Sequence, residues 1–237
     1  MSVPPASQPG PVSAASLSQF DPRQVPAVPE VHALPAVALA AQTPQALRQR
    51  FARPPQWQPE VRQEPRWVDR PVVPAAVLIP LVMREQLMVL LTLRTAHLSS
   101  HSGQVAFPGG KQDPQDRDAA ATALREAHEE VGLQPAHVEV LGSLPVYATG
   151  TAYAITPVVG LVQAHAPLQA NPGEVADVFE VPLQFLLDPA NHQRHRWQWQ
   201  GEQREWFSMP FDDLGRERYI WGATAGMLRN FYRFMRA

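Results

Sequence analysis

Apolar and polar positions alternate in blocks along the second two-thirds of this chain. Ala75 to Met83 (AAVLIPLVM) and Leu87 to Arg94 (LMVLLTLR) are nearly continuous apolar runs, separated by Arg84-Glu85-Gln86. Runs of that length with a polar break predict a hairpin of two buried strands. From Ala119 to Val131 the residues favour helix, Asp118 is in place to cap its start, and Gly132 can take the left-handed conformation that ends it. Strands follow near 138–147 and 155–163, and Glu174 to Phe179 reads as a turn or short strand. Pro182 to Leu187 reads as a short helix ending at Asp188-Pro189. Arg194 to Phe207 alternates, with Trp197 and Trp199 on one face and Gln200-Gly201-Glu202 as a hairpin turn. Ala223 to Met235 is amphipathic, with Met227, Leu228, Phe231 and Phe234 as its apolar stripe. Mixed strands with a helix between the early and late ones predict an α/β domain, a sheet sandwiched by helices, over 71–237.

The first third is different. Of the 26 prolines, 15 fall between Pro4 and Pro74, amid alanine and glutamine. Such a segment struggles to bury a core, so 1–70 is expected to be a largely disordered extension. One island stands out at 43–52. Thr43 can cap, Pro44 suits the first helical position, and Leu47 and Phe51 stand four apart. A short helix here either docks on the domain or a partner, or is nascent in a loose tail.

Composition narrows the partners. The net charge of −2 gives no electrostatic footprint for nucleic acid. The absence of cysteine removes disulfides, thiolate catalysis and cysteine zinc sites, and fits the cytoplasm. No apolar run is long enough to span a bilayer, and the N-terminus lacks the pattern of a secretory signal. Nothing in the sequence sets the oligomeric state.

The chemistry concentrates in the predicted central helix. Glu126, Glu129 and Glu130 stand at i, i+3 and i+4 and share one face. Like charges at that spacing cost an isolated helix a few tenths of a kcal/mol, roughly. A hard divalent cation with oxygen ligands, Mg²⁺ or Mn²⁺, would reverse that cost. The plain alternative is a solvated acidic face.

The flanking residues change the balance. Arg125, Glu126, Glu129, Glu130, Gly132 and Leu133, with Ala127 at an aliphatic position, resemble the Nudix box. The loop from Gly110 to Arg125 is one residue longer than the usual spacing, and Asp116 is the nearest match to the first acidic position. Upstream, Leu90-Leu91-Thr92-Leu93-Arg94-Thr95 and Gly103 to Gly110, ending in Phe107-Pro108-Gly109-Gly110, resemble the segment that accompanies that box in coenzyme A pyrophosphatases. Ser99 stands where a basic residue is usual there, and Arg94-Thr95 replaces a pair of small hydroxyl residues.

The resemblance implies a Nudix-type α/β/α sandwich with a mixed sheet. It implies a metal-dependent diphosphatase acting on coenzyme A or a derivative, giving 3′,5′-ADP and 4′-phosphopantetheine. Glu126 and Glu130 are the expected ligands for Mg²⁺ or Mn²⁺. Glu129 is either a third ligand or the base, and Glu174, after an Asn-Pro-Gly turn, is either the second candidate base or simply a cap. Gly109 and Gly110 are expected to let the backbone turn tightly under the helix, and Arg125 to anchor the loop through Asp116 or a neighbour. Arg94 and Lys111 are expected to meet substrate phosphates. Competing readings are an ADP-ribose or dinucleotide hydrolase and a non-catalytic nucleotide-sensing module. A zinc site at His97 and His101 is disfavoured by the loop-forming residues around them, and Ser99, Ser100 and Ser102 show no nucleophile elbow. His128 is expected at the surface or behind the carboxylates. Trp197, Trp199, Trp206 and Trp221 are expected to pack the hairpin rather than stack a base.

Overall fold

A computed structural model describes residues 20–29, 34–66, 68–96, 103–199 and 202–237. His97, Ser99, Ser100, His101, Ser102, Gln200 and Gly201 lie outside the described residues, and so does the side chain of Trp199.

The sheet is built around β2 (Val73–Met83), which is buried on both faces as its continuous apolar run implies. Its last residues pair antiparallel with β3 (Leu87–Arg94). Its first part pairs antiparallel with β5 (Gly109–Lys111). Along its other edge it runs parallel to β8 (Tyr153–Val162), from Val73 opposite Tyr153 to Val82 opposite Val162. β9 (Val175–Pro182) and the two-residue β4 (Val105–Ala106) add to β3, and β6 (Val138–Ser143) and β7 (Tyr147–Ala148) add to β8. The expected strand over 138–147 is split into β6 and β7 by a break holding Pro145, which has no N–H to give the ladder. The segment at 174–179 is a full strand on β3, and the short helix after it is α3 (Leu183–Leu186).

Alternate residues of β2 serve opposite layers. Ala76 and Leu78 pack with Ala123, Ala127 and Val131 of α2 (Ala119–Val131). Val77, Ile79 and Leu81 belong to a larger core on the other face, with Met227, Leu228, Phe231 and Phe234 of α4 (Gly222–Arg236). This is the expected sandwich with a mixed sheet. A second sheet joins that larger core through Phe207, Met209 and Ile220. It comprises β10 (Gln193–Trp199), β11 (Glu202–Asp213) and β12 (Arg216–Trp221), with β1 (Ala27–Val28) on its edge. The hairpin of β10 and β11 was legible in the alternation, but β12 and β1 were not.

Residues 34–66, expected to be largely disordered, pack on the domain. Helix α1 (Pro44–Ala52) is capped by Thr43, whose hydroxyl accepts from the Ala46 N–H at 3.2 Å. Leu47 is fully buried in the larger core, and the Phe51 ring lies 4.8 Å from that of Phe234. Downstream, Glu60 receives Nε of the buried Arg229 at 2.8 Å, and the Val61 N–H donates to Asn230 at 3.0 Å. The apolar residues between the prolines are few, but Phe51 and Trp57 both meet the Phe234 ring of α4. Among the described residues no helix is long and apolar enough to cross a membrane.

Candidate active site

Helix α2 begins where expected. Asp118 accepts from the Ala121 N–H at 2.8 Å, and Gly132 closes the helix at φ 69°. Between these caps the three glutamates take different surroundings. The Glu130 side chain is only 2% exposed; its Oε1 lies 3.1 Å from Nη1 of Arg94, and its Oε2 accepts from the Gly109 N–H at 3.3 Å. Burial pushes its pKa up to about 7, against the pull of Arg94 and the Gly109 N–H, and with repulsion from Glu126 and Glu174 added. Glu126 is also raised by burial, with Arg125 opposing and Glu129 and Glu174 reinforcing. Glu129 is half exposed and turned to Arg125, with Oε2 at 3.1 Å from Nη1.

Arg125 is the hub of the loop. It forks onto Asp116, with Nε at 3.1 Å and Nη2 at 2.9 Å from the two carboxylate oxygens, and reaches the Lys111 carbonyl at 3.0 Å and Glu126 at 3.0 Å. That fork holds the Asp116 carboxyl far below the usual carboxylate range. Asp116 also accepts from the Asp113 N–H at 2.9 Å, so the longer loop is closed on itself and the pairing with Arg125 is intact.

The two glycines differ from the expectation of a tight turn. They lie in strand β5, and neither has a positive φ. What they provide is close approach. A Cβ on Gly109 would stand 2.5 Å from the Ala76 carbonyl oxygen, and one on Gly110 would stand 2.5 Å from the Glu126 carboxylate. Arg94 lines the adjoining cavity, but its guanidinium is engaged with Glu130. Lys111 is exposed on the same cavity, of about 440 Å³, which Gly109 and Gly110 also line. Glu174 is half-buried near the helix carboxylates, and its Oε1 lies 3.5 Å from Asn171 Nδ2. His128 points away from the site to Gln134, at 2.8 Å.

Among the described residues, no three histidine, aspartate or glutamate side chains converge as a ready-made metal cage. The expected ligand trio is therefore not preassembled, and Glu129 is turned to Arg125. The residues still fit a hard divalent cation. The donors are all oxygen, and Glu126, Glu130 and Glu174 crowd like charge into a buried place that such a cation relieves. Mg²⁺ takes one or two carboxylates and fills its remaining positions with water and phosphate.

Sequence reasoning missed Glu64. It lines the cavity from the segment before the domain and accepts from the Tyr147 hydroxyl at 2.9 Å and the Gly150 N–H at 2.9 Å. Neither spacing nor periodicity marks it, since a long-range fold contact brings it there.

A helix presenting REAHEE beneath a Gly-Gly strand, on a mixed sheet between helices, defines a hydrolase of diphosphate bonds. The NUDIX domain family model matches residues 72–230, and the chain belongs to that family. The Uncharacterized Nudix hydrolase NudL of Escherichia coli (strain K12) is 45% identical over 156 residues, which span 65% of this chain and 79% of that relative. NudL of Enterobacter sp. (strain 638) matches equally, at 45% over 156 residues and the same 65% and 79%. Among solved structures, a C. elegans Ap4A hydrolase binary complex is 21% identical with a TM-score of 0.40, covering 48% of this chain and 82% of that one. The NUDIX domain of Shewanella oneidensis NrtR complexed with ADP ribose is 23% identical with a TM-score of 0.38, covering 48% and 75%.

Proposed function

We propose that this Nudix hydrolase cleaves the diphosphate bond of coenzyme A or one of its derivatives, giving 3′,5′-ADP and 4′-phosphopantetheine or its acyl form. The observation that carries the reading is the meeting at Glu130. Arg94 from the LLTLRT segment and Gly109 from FPGG both bind the carboxylate of the REAHEE helix. The segment that resembles coenzyme A pyrophosphatases and the Nudix box are thus two halves of one site.

Glu126 and Glu130 would hold Mg²⁺ or Mn²⁺, with Glu129 joining them when it leaves Arg125. The ion supplies charge neutralisation at the diphosphate and activation of water. Arg94 fixes the Glu130 carboxylate and limits the charge left buried there. Arg125, locked on Asp116, carries Lys111 at the rim, where its ammonium would meet a substrate phosphate. Glu174 is the better placed base of the two candidates, since Glu129 is held by Arg125. In the reaction a water oxygen bonds one phosphorus, its proton passes to Glu174, and the other phosphate departs with the bridging oxygen.

The test is incubation of the full chain with coenzyme A, ADP-ribose and a dinucleoside polyphosphate, each with Mg²⁺ or Mn²⁺, and identification of the products. The reading predicts 3′,5′-ADP from coenzyme A at the highest kcat/KM. Preferential cleavage of ADP-ribose or the dinucleotide would replace the substrate, and binding by calorimetry without product from any of them would favour the sensing module.

A further inference from the structure

The end of the cavity formed by the second sheet gathers aromatic rings from two separate parts of the chain. Trp197, Trp206 and Trp221 come from β10, β11 and β12. Phe20 comes from the segment that precedes the family domain. Its ring stacks on Trp197 with centroids 4.6 Å apart and an interplanar angle of 28°. It meets Trp206 edge-on at 5.5 Å and lies 6.3 Å from Trp221. All four rings line the cavity that also holds Gly109, Gly110 and Lys111.

Phe20 is built into this wall and is not a loose plug. The next residues form a short turn in which Asp21 accepts from the Arg23 N–H at 3.0 Å. The Pro22 carbonyl accepts from the Tyr219 hydroxyl at 3.3 Å, and the Val25 carbonyl lies 2.8 Å from Nδ1 of His195. Ala27 and Val28 then pair with His195 and Arg194 on β10. With Phe20 in place about 440 Å³ stays open, within the range of small-molecule sites. Trp206 adds a buried indole N–H that has no acceptor among the described residues.

We propose that Phe20, Trp197, Trp206 and Trp221 form a stacking subsite for the flat heteroaromatic base of the substrate's nucleotide half, so that Phe20 is a specificity-determining residue lying outside the family domain. The inference rests on the reading that the substrate carries a nucleotide. A flat π-face gains from each ring it meets, whereas a flexible amide arm gains no stacking.

The test is titration of the full chain with adenosine 3′,5′-bisphosphate, followed by tryptophan fluorescence, with ribose 5-phosphate as the base-free comparison. The bisphosphate is expected to quench to saturation and ribose 5-phosphate to leave the signal unchanged. Phe20→Leu, which keeps apolar bulk without the ring, is expected to raise Kd about tenfold, and Phe20→Tyr to bind like the parent. Equal or tighter binding by Phe20→Leu, or no quench in the parent, overturns the subsite. The reaction is judged separately. A chain that binds the bisphosphate through Phe20 but leaves coenzyme A intact keeps the subsite and loses the substrate assignment. Coenzyme A cleavage by Phe20→Leu at the parent KM loses the subsite and keeps the reaction.

Discussion

Nη1 of Arg94 lies 3.1 Å from Oε1 of Glu130, tying the end of β3 to the last turn of α2 at a carboxylate almost closed to solvent. An unpaired carboxylate so placed would cost several kcal/mol, roughly, and even the paired one is pushed up to about 7.

That placement links metal binding to protons. The folded, metal-free protein keeps a proton on Glu130 to about pH 7, whereas an ordinary carboxyl loses it near 4.5. Between these values the folded state binds more protons than the unfolded one, so this group's contribution to stability falls as pH rises. A cation must displace that proton. Calorimetry of Mg²⁺ binding at pH 6 in buffers of different ionisation enthalpy should show net proton release, little of it at pH 8 and clearly less in Glu130→Gln.

His192 gives the opposite dependence at a place remote from the helix glutamates. Its Nε2 lies 2.9 Å from the Leu186 carbonyl, and its Nδ1 lies 3.2 Å from Nη1 of Arg229. Arg229 can only donate, so the ring is neutral with its proton on Nε2. Burial lowers its pKa to about 4 from the ordinary 6.5, with Arg229 adding to the effect and the Leu186 carbonyl opposing it. The unfolded chain takes up the proton first, so this contribution is complete above about pH 6.5 and is lost as pH falls toward 4. Thermal unfolding across that window should show a decline that His192→Gln flattens.

The two glycines of β5 should separate stability from activity. Gly109→Ala drives a Cβ into the backbone of β2 and should lower the unfolding temperature markedly. Gly110→Ala meets the far end of the Glu126 side chain instead. It should leave the unfolding temperature nearly unchanged while reducing kcat about tenfold or more, since the carboxylate proposed as a ligand is displaced. Equal effects of both substitutions on stability would contradict this division.

Leu47→Ala tests whether the proline-rich segment belongs to the folded unit. A fully buried leucine replaced by alanine costs about 2–5 kcal/mol. Chemical denaturation should show a single transition moved by that amount. A stability equal to the parent would mean that α1 is detached.

The central helix was legible in the sequence because its boundaries depend on local chemistry. Asp118 and Gly132 cap it, and the glutamate spacing follows from 3.6 residues per turn. The hairpin of β2 and β3 was legible from its apolar runs. The pairing of Arg125 with Asp116 came through resemblance and is present despite the longer loop. Most of what the sequence concealed is set by long-range contacts. Alternation gave β10 and β11 but not β12, which is a local exception: the two-residue turn Leu214-Gly215, both at positive φ, joins it to β11. Phe20 and Glu64 reach the cavity from a segment whose composition suggests disorder, and contacts distant in sequence, to β10 and β12 for the one and to Tyr147 and Gly150 for the other, give them fixed places. Gly109 and Gly110 signalled a turn by type, but their role depends on how closely Ala76 and Glu126 approach.

Glu130, held between Arg94 and Gly109, is proposed to serve the hydrolysis directly. The deciding measurement is kcat/KM for coenzyme A with saturating Mg²⁺, compared between the parent and Glu130→Gln, with unfolding temperatures recorded alongside. A loss of about a hundredfold to a thousandfold is expected in a variant that still folds. A Glu130→Gln protein with near-parent turnover would overturn that role.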